Sequence, residues 1–332
     1  MTCALRRVLL TVPLLLAVSL VVFALVDALP GDPAVRRFDV HANPEAVKAW
    51  RREHGLDDPF LVRWGRYVTG VVTRFDFGKS YARNLPVGED LARKFQATFE
   101  LTVCALLLAT AVGVAVGVLS AAFPRSPLDV AGNLLALGGI SLPVFWLGML
   151  LWILCTEVLG LAYRSGRAEA PGLATGLYLF ESLARLKLDL FFEQLGRILL
   201  PALALSTIPM AVITRMTRAA VLDEIGKDYA VTARAKGLGR ARVLLRHVLR
   251  NALLPITTIT GLQFGQLLSG AVLTETIFSW PGLGSYVVEE GVLASDTPVI
   301  VGGILLVATT FVLVNLAVDL LYTVVDPRLR RA

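Results

Sequence analysis

Six stretches of this chain stay apolar for roughly twenty residues or more, at about 8–28, 99–123, 130–158, 199–222, 252–277 and 300–325. A helix of about 20 residues crosses a hydrocarbon core of ~30 Å. Only helices or closed barrels satisfy their backbone there. The expectation is therefore an all-α integral membrane protein with six transmembrane helices. Hydrophobic residues make up 55% of 332 positions and mean hydropathy is +0.68, above a soluble domain. Ser141-Leu-Pro143 is expected to bend the third span. Arg6 and Arg7 ahead of Val8–Val26 have the outline of a signal peptide. That run is long for one and Asp27 sits badly at the cut, so an uncleaved first helix is expected.

Orientation follows from basic residues in short loops. Lys227 to Arg250 holds seven Lys and Arg against one acid, Asp228. Arg6, Arg7, Arg328, Arg330 and Arg331 mark the two ends, whereas 251–327 has no Lys or Arg and 278–299 carries Glu289, Glu290 and Asp296. Both termini and the basic loop then fall on the cytoplasmic side. The 29–97 segment, placed outside, has twelve basic and nine acidic residues, but long segments translocate largely regardless of charge. The net charge of +6 is accounted for by these loops and calls for no nucleic acid. Cys3, Cys104 and Cys155 are read as small hydrophobes.

Outside the spans, Asn43-Pro44-Glu45 is a helix start and Gly55 a stop. Phe60, Leu61, Trp64, Tyr67, Val68 and Val71 then recur at helical spacing. Two short helices are expected, the second amphipathic, lying on the membrane, a partner or the rim of the bundle. Gly78-Lys79-Ser80 imitates the end of a phosphate-binding loop, but Thr73 stands where that loop needs glycine. No HExxH or CxxC pattern exists, and His41, His54 and His247 all lie outside the spans, so no metal site, cofactor or intramembrane hydrolase is expected.

The spans carry packing and polar signals instead. Gly113-Val-Ala-Val-Gly117 and Gly261-Leu-Gln-Phe-Gly265 let helices approach closely. Pro201 is expected near the start of the fourth helix, Pro209 at a kink in its middle, and Pro255 in the first turn of the fifth. Arg215 and Arg218 are expected to snorkel to the interface. Thr257, Thr260, Gln263 and Gln266 drift across one side of the fifth helix and either bond a neighbour or face a wet cavity; Thr260, Gln263 and Gln266 are the candidate lining of a translocation path. Glu275 and Asp319 are ionisable groups placed near span ends.

Between the fourth and fifth spans lies a two-part basic loop. Asp228-Tyr-Ala-Val-Thr-Ala-Arg-Ala-Lys-Gly237 reads as a short helix closed by glycine. Arg240–Asn251 follows as an amphipathic one, with Val243, Leu244, His247 and Val248 on one stripe. Together with Leu29-Pro-Gly-Asp-Pro33, Ser141-Leu-Pro-Val-Phe-Trp146, Glu275-Thr-Ile-Phe-Ser-Trp-Pro-Gly-Leu-Gly284 and Asp326-Pro-Arg328, this loop resembles the permease subunits of bacterial ATP-binding-cassette importers, in the peptide/nickel branch and of its first-permease type. The resemblance runs nearly end to end. The signature of such permeases is Glu-Ala-Ala, a glycine after three residues, and later an apolar-Leu-Pro. Here those positions read Val231-Thr232-Ala233, Gly237 and Val248-Leu249-Arg250, so the glutamate, first alanine and proline are replaced.

The resemblance implies a type I importer transmembrane fold. Residues 1–96 would be an N-terminal region with the first helix and an extracytoplasmic helical segment, 97–326 the transmembrane domain with its coupling loop at 223–251, and 327–332 a cytoplasmic tail. It implies that Tyr229, Thr232, Ala233, Arg234, Ala235, Lys236, Gly237 and Arg240 couple to an ATPase. Implied partners are a second permease, two ATPase subunits that use ATP and Mg, an extracytoplasmic substrate-binding protein and membrane lipid. The chain itself would be non-catalytic. Di- or oligopeptides are the implied cargo, with glutathione, nickel, a metal chelate or certain sugars as alternatives. Readings from other classes are an ion-gradient transporter, which wants an inverted repeat and mid-membrane charges, and a scaffold without transport.

Overall fold

The structure, a computed structural model, describes residues 2–28, 32–34, 43–160 and 163–325. Among them it is all-helical, apart from one isolated bridge between Lys79 and Pro86. Leu29–Gly31, His41 and Asp326–Arg328 lie outside the described residues, as do the side chains of Cys3 and Asp319.

Helix α1 runs Thr2–Asp27 and α2 Pro44–Glu53. The expected start of α2 is found: Asn43 Oδ1 accepts the Glu45 N–H at 3.0 Å, with Pro44 in the first turn. Gly55 follows with φ +62°. Helix α3 spans Phe60–Arg74 and packs on α1, where Phe23 meets Phe60 and Tyr67 at centroid distances of 5.6 and 5.8 Å. Trp64 Nε1 also donates to Ser19 Oγ at 3.2 Å.

Helix α4 covers Val87–Ala122 and starts well before the apolar run, because Val87 and Leu91 already bury one face beneath charged neighbours. The expected bend is present: α5 (Pro127–Ser141) and α6 (Val144–Ile153, extended by a wider turn at Leu154–Val158) meet at 107°. After α7 (Tyr178–Ala184), α8 runs Leu188–Ile225 without a break. Pro201 and Pro209 are both buried inside it, so Pro201 does not mark the start. Helix α9 is Asp228–Ala235; a turn at Arg240–Arg242 and a wider one at Val243–Val248 lead into α10, Leu249–Gly270. Pro255 therefore lies inside α10 and not at its opening. Short α11 (Val272–Ile277) and α12 (Leu283–Tyr286) precede α13, Thr297–Val325.

Four helices among the described residues are long and apolar enough to cross a membrane, or five if the bent α5–α6 pair is one span. The sixth expected span is α10, whose Thr257, Thr258, Thr260, Gln263 and Gln266 dilute its hydropathy. At 22 residues it is about 33 Å long.

The chain divides into two compact units. The first holds Met1–Thr98 and Pro281–Leu313. In it Val22 and Val26 of α1 pack with Ile300, Val301 and Leu305, and Val87 and Leu91 pack with Leu283, Tyr286 and Val299. The second holds Phe99–Trp280 and Val314–Ala332, organised around α8, which packs on α5, α6, α7 and α10.

Small residues let α4 approach α8, as their spacing predicts. A Cβ on Gly117 would lie 2.6 Å from Thr217 Cβ and 2.7 Å from Thr214 O, and one on Gly113 3.0 Å from Met210 O. Gly138 has nothing within 4 Å. Gly117→Leu is expected to cost about 1–3 kcal/mol by overpacking, while Gly138→Ala is neutral or better; thermal unfolding in detergent compares the two.

Candidate functional site

The basic loop is not a free strap. Beneath α9 lies a closed apolar cluster of Ala230 and Ala233 with Val118 and Ala121 of α4, Val221 of α8, and Val243, Val248, Ala252 and Ile256 leading into and along α10. Ala233 is turned inward, so its small size serves packing within this chain. Val231, Thr232, Arg234, Ala235 and Lys236 are exposed. Val243 and Val248 are buried and Leu244 packs beside them, three of the four residues of the expected stripe; the fourth, His247, is half-buried.

Both ends of α9 are tied down. Tyr229 Oη donates to Glu224 Oε2 at 2.5 Å and Lys227 Nζ to Glu224 Oε1 at 2.6 Å, fixing its entry. Arg234 reaches back to the Ile225 carbonyl at 3.0 Å, satisfying an open group at the end of α8. At the exit Gly237 adopts φ +79°, its N–H donates to Arg234 O at 2.9 Å and that of Leu238 to Ala233 O at 3.3 Å. This is a left-handed helix stop with its hydrophobic contact supplied by Leu238. Arg240 then donates to the Ala122 carbonyl and stacks over the Phe123 ring at 4.8 Å, joining the loop to the end of α4.

The polar residues of α10 separate into two groups. Thr257 and Thr260 line a 680 Å³ apolar cleft between α4 and α10, together with Thr110. Gln263 is buried and donates through Nε2 to Gln266 Oε1 at 2.9 Å, leaving Gln263 Oε1 without a partner among the described residues. Thr260 also bonds the Ile256 carbonyl at 2.9 Å.

Charges within the bundle are paired more than the sequence suggests. Arg218 does not snorkel: its guanidinium forks onto buried Asp129 at 2.7 and 2.9 Å, joining α8 to the first turn of α5. Arg215 is exposed. Glu275 does not reach an interface but is fully buried. Ser80 Oγ of the phosphate-loop imitation is committed to Asp296 at 2.5 Å. Among the described residues no group of three His, Cys, Asp or Glu is placed to hold a metal.

A second constellation, unread in the sequence, sits at the other end of α8. Buried Arg167 pairs with buried Glu100, donates to the Gly176 carbonyl and stacks over the Tyr178 ring at 3.8 Å. Glu100 Oε1 also accepts the Leu179 N–H at 2.6 Å. Gln194 Nε2 bonds Ala168 O, Gly166 N–H bonds Phe278 O, and Tyr163 Oη bonds Arg197 O, so residues 163–187 are stapled over the bundle. Phe278 and Trp280 of the resemblance motif are core residues under this loop. The Pro171-Gly172 turn and the arginines of 164–167 were the available signals.

Glu181 gathers this loop by accepting the Thr175 hydroxyl at 2.5 Å, the Thr175 N–H at 2.8 Å and the Ala174 N–H at 3.1 Å. Those bonds, with Arg185 nearby, hold its carboxyl well below the ordinary value of 4.5, at about 2. A lowered folded-state pKa gives stabilisation that is complete above about 4.5 and lost as pH falls toward about 2. The protection factors of the Ala174 and Thr175 amides should be constant above pH ~5 and fall as pH drops below it; Glu181→Gln should flatten that dependence.

The family described as binding-protein-dependent transport system inner membrane component matches residues 113–331, and the N-terminal family of such membrane components matches 1–102. A dipeptide transport system permease protein of Escherichia coli is 45% identical over 98% of both chains. One from Alkalihalophilus pseudofirmus is 42% identical, also over 98% of both. A glutathione transport system permease protein of Salmonella paratyphi A is 37% identical over 98% of both.

Proposed function

This chain belongs to the family of binding-protein-dependent transport system inner membrane components, and from that premise we propose that it translocates short peptides as one of two permeases in an importer driven by separate ATPases. It is a multi-pass inner-membrane protein. The observation that carries the proposal is α9. It is a short helix anchored at both ends, with an exposed outer face of Val231, Thr232, Arg234, Ala235 and Lys236. Its inner face is welded to α4, α8 and α10. A push on that face would reach three helices at once.

The mechanism follows as alternating access. ATP-driven closure of two ATPase subunits draws the coupling helices of the two permeases together, and the helices they carry open the path toward a loaded binding protein. Hydrolysis of ATP with Mg, in the ATPase subunits, resets the pair. Six spans, with α10 as the fifth, put both termini and the α9 loop on the cytoplasmic side. They put the 163–187 loop, at the far end of the ~57 Å α8, on the receiving side. Thr260, Gln263 and Gln266 line or border the path. Residues 1–96 form the N-terminal region, 97–326 the transmembrane domain with 223–251 as the coupling loop, and 327–332 the cytoplasmic tail. The cargo is assigned as dipeptides or oligopeptides on the strength of two relatives; glutathione is the second reading, favoured by the third.

Affinity isolation from the native membrane, followed by uptake in vesicles, tests this. Recovery of a second permease, ATPase subunits and a binding protein, with uptake of labelled dipeptide that requires internal ATP, is the expected result. A chain that purifies alone and moves dipeptide on an ion gradient without ATP would defeat it.

A further inference from the structure

The first unit contains a cavity of about 920 Å³ whose lining residues all belong to that unit. Its walls come from the outer end of α1, from α2 and α3, from the 76–84 segment and from the start of α13. One wall is aromatic. Trp50 and His54 stack at 4.0 Å, and Tyr81 stands edge-on to both at 5.0 and 5.5 Å. Phe23 and Tyr67 continue that surface.

The remaining wall carries charges of both signs. Asp27, Glu53 and Asp76 face Arg63, Arg66 and Lys79. Arg63 is neutralised by Asp27 at 2.8 Å, and Arg66 is paired with Asp58. Glu53, Asp76 and Lys79 are exposed and have no ion pair among the described residues. Two wall atoms, Tyr67 Oη and Arg63 Nε, are buried without a hydrogen-bond partner among the described residues. Burial, reinforced by Asp296, pushes the Tyr81 phenol up to about 12, so it stays a neutral donor.

Unpaired groups of both signs remain on this wall, Glu53 and Asp76 against Lys79, and a dipolar molecule can satisfy both signs where a simple cation or anion cannot. The aromatic wall offers an apolar body a surface and an ammonium a ring face. The volume falls within the range of small-ligand sites. We infer that this cavity binds a small zwitterion that carries an apolar body, with its ammonium toward Glu53 and the aromatic wall and its anion toward Lys79. A free short peptide and the headgroup of a zwitterionic phospholipid share that chemistry. None of the residues involved belongs to α8, α9 or α10, so the inference stands without the path proposed above.

Calorimetric titration of the dipeptide Ala-Phe into the full chain, held in nanodiscs of phosphatidylglycerol, tests the inference without ATP or transport. Saturable binding is expected, weakened at least tenfold by N-acetylation or C-amidation of the probe. Lys79→Ala, a change at an exposed side chain, should weaken the free dipeptide about tenfold and leave the amide unchanged. Trp50→Ala should weaken both, and Gln263→Leu neither. Nanodiscs containing phosphatidylethanolamine identify the source: competition makes the lipid the occupant in the membrane, and its absence leaves the peptide. The inference is overturned by no saturable heat, by indifference to capping, or by binding that survives Lys79→Ala and Trp50→Ala but is lost in Gln263→Leu. Each of those results leaves the importer proposal standing.

Discussion

Gly237→Ile should reduce ATP-dependent uptake to less than a tenth of the parent while the chain still reaches the membrane in normal amount. Gly237 holds φ +79°, and a Cβ there would meet nothing within 4 Å. The penalty is therefore conformational and not steric. A β-branched residue forced to positive φ costs about 1–3 kcal/mol, enough to shift the loop from its observed exit toward one that breaks the Gly237–Arg234 and Leu238–Ala233 bonds. The apolar cluster beneath α9 does not include Gly237, so the bundle should still fold, with an unfolding temperature lowered by no more than the cost of that turn. ATPase activity of the assembled complex should continue without responding to loaded binding protein. Gly237→Asn, which tolerates the left-handed region, should keep most of the uptake. Normal uptake in Gly237→Ile would remove α9 from the coupling role.

This site was legible because its determinants are local. A helix stop is written in consecutive residues, and the stripe of Val243, Leu244 and Val248 lies within one short segment. The Asn43 cap, the Ser141–Pro143 bend and the close approach at Gly113 and Gly117 were readable for the same reason. Hydropathy located the helices but not their ends. It marks where lipid is met, whereas α4 and α8 continue as amphipathic helices in which Leu91 and Gln194 are buried while Ala92 and Glu193 beside them are exposed. Proline is a poor boundary marker in such a chain: inside a packed bundle, neighbouring helices and local adjustment re-satisfy the groups it leaves open, and Pro201 and Pro255 sit inside continuous helices. The pairings that fix the charges were out of reach. Asp129 meets Arg218, and Glu100 meets Arg167, across separations that no periodicity encodes.

The second of those pairs carries the largest stability prediction. Glu100 and Arg167 are 1% and 8% exposed, so neither charge has water to fall back on. Arg167→Met leaves the Glu100 carboxylate buried with only backbone donors such as Leu179 N–H. Breaking a buried pair by removing one partner costs about 3–5 kcal/mol, or roughly 150- to 5000-fold in the local opening equilibrium. The cost should appear as faster exchange at Leu179 and across 174–180, and as faster labelling of Cys104, a half-buried free thiol one turn beyond Glu100 on α4. Arg167→Lys should recover only part of the loss: an ammonium keeps the charge but not the flat guanidinium, whose Nη2 reaches both Glu100 and Gly176 O while its plane stacks on Tyr178. Removing both charges, in Glu100→Leu with Arg167→Met, should be far milder than Arg167→Met alone, since a hydrophobic replacement carries no desolvation penalty. The strong non-additivity is what separates a buried ion pair from two independent packing contacts. Equal and additive effects of the two single changes would mean that the loop is held by Gln194, Tyr163 and Gly166, and that Arg167 and Glu100 are incidental to it.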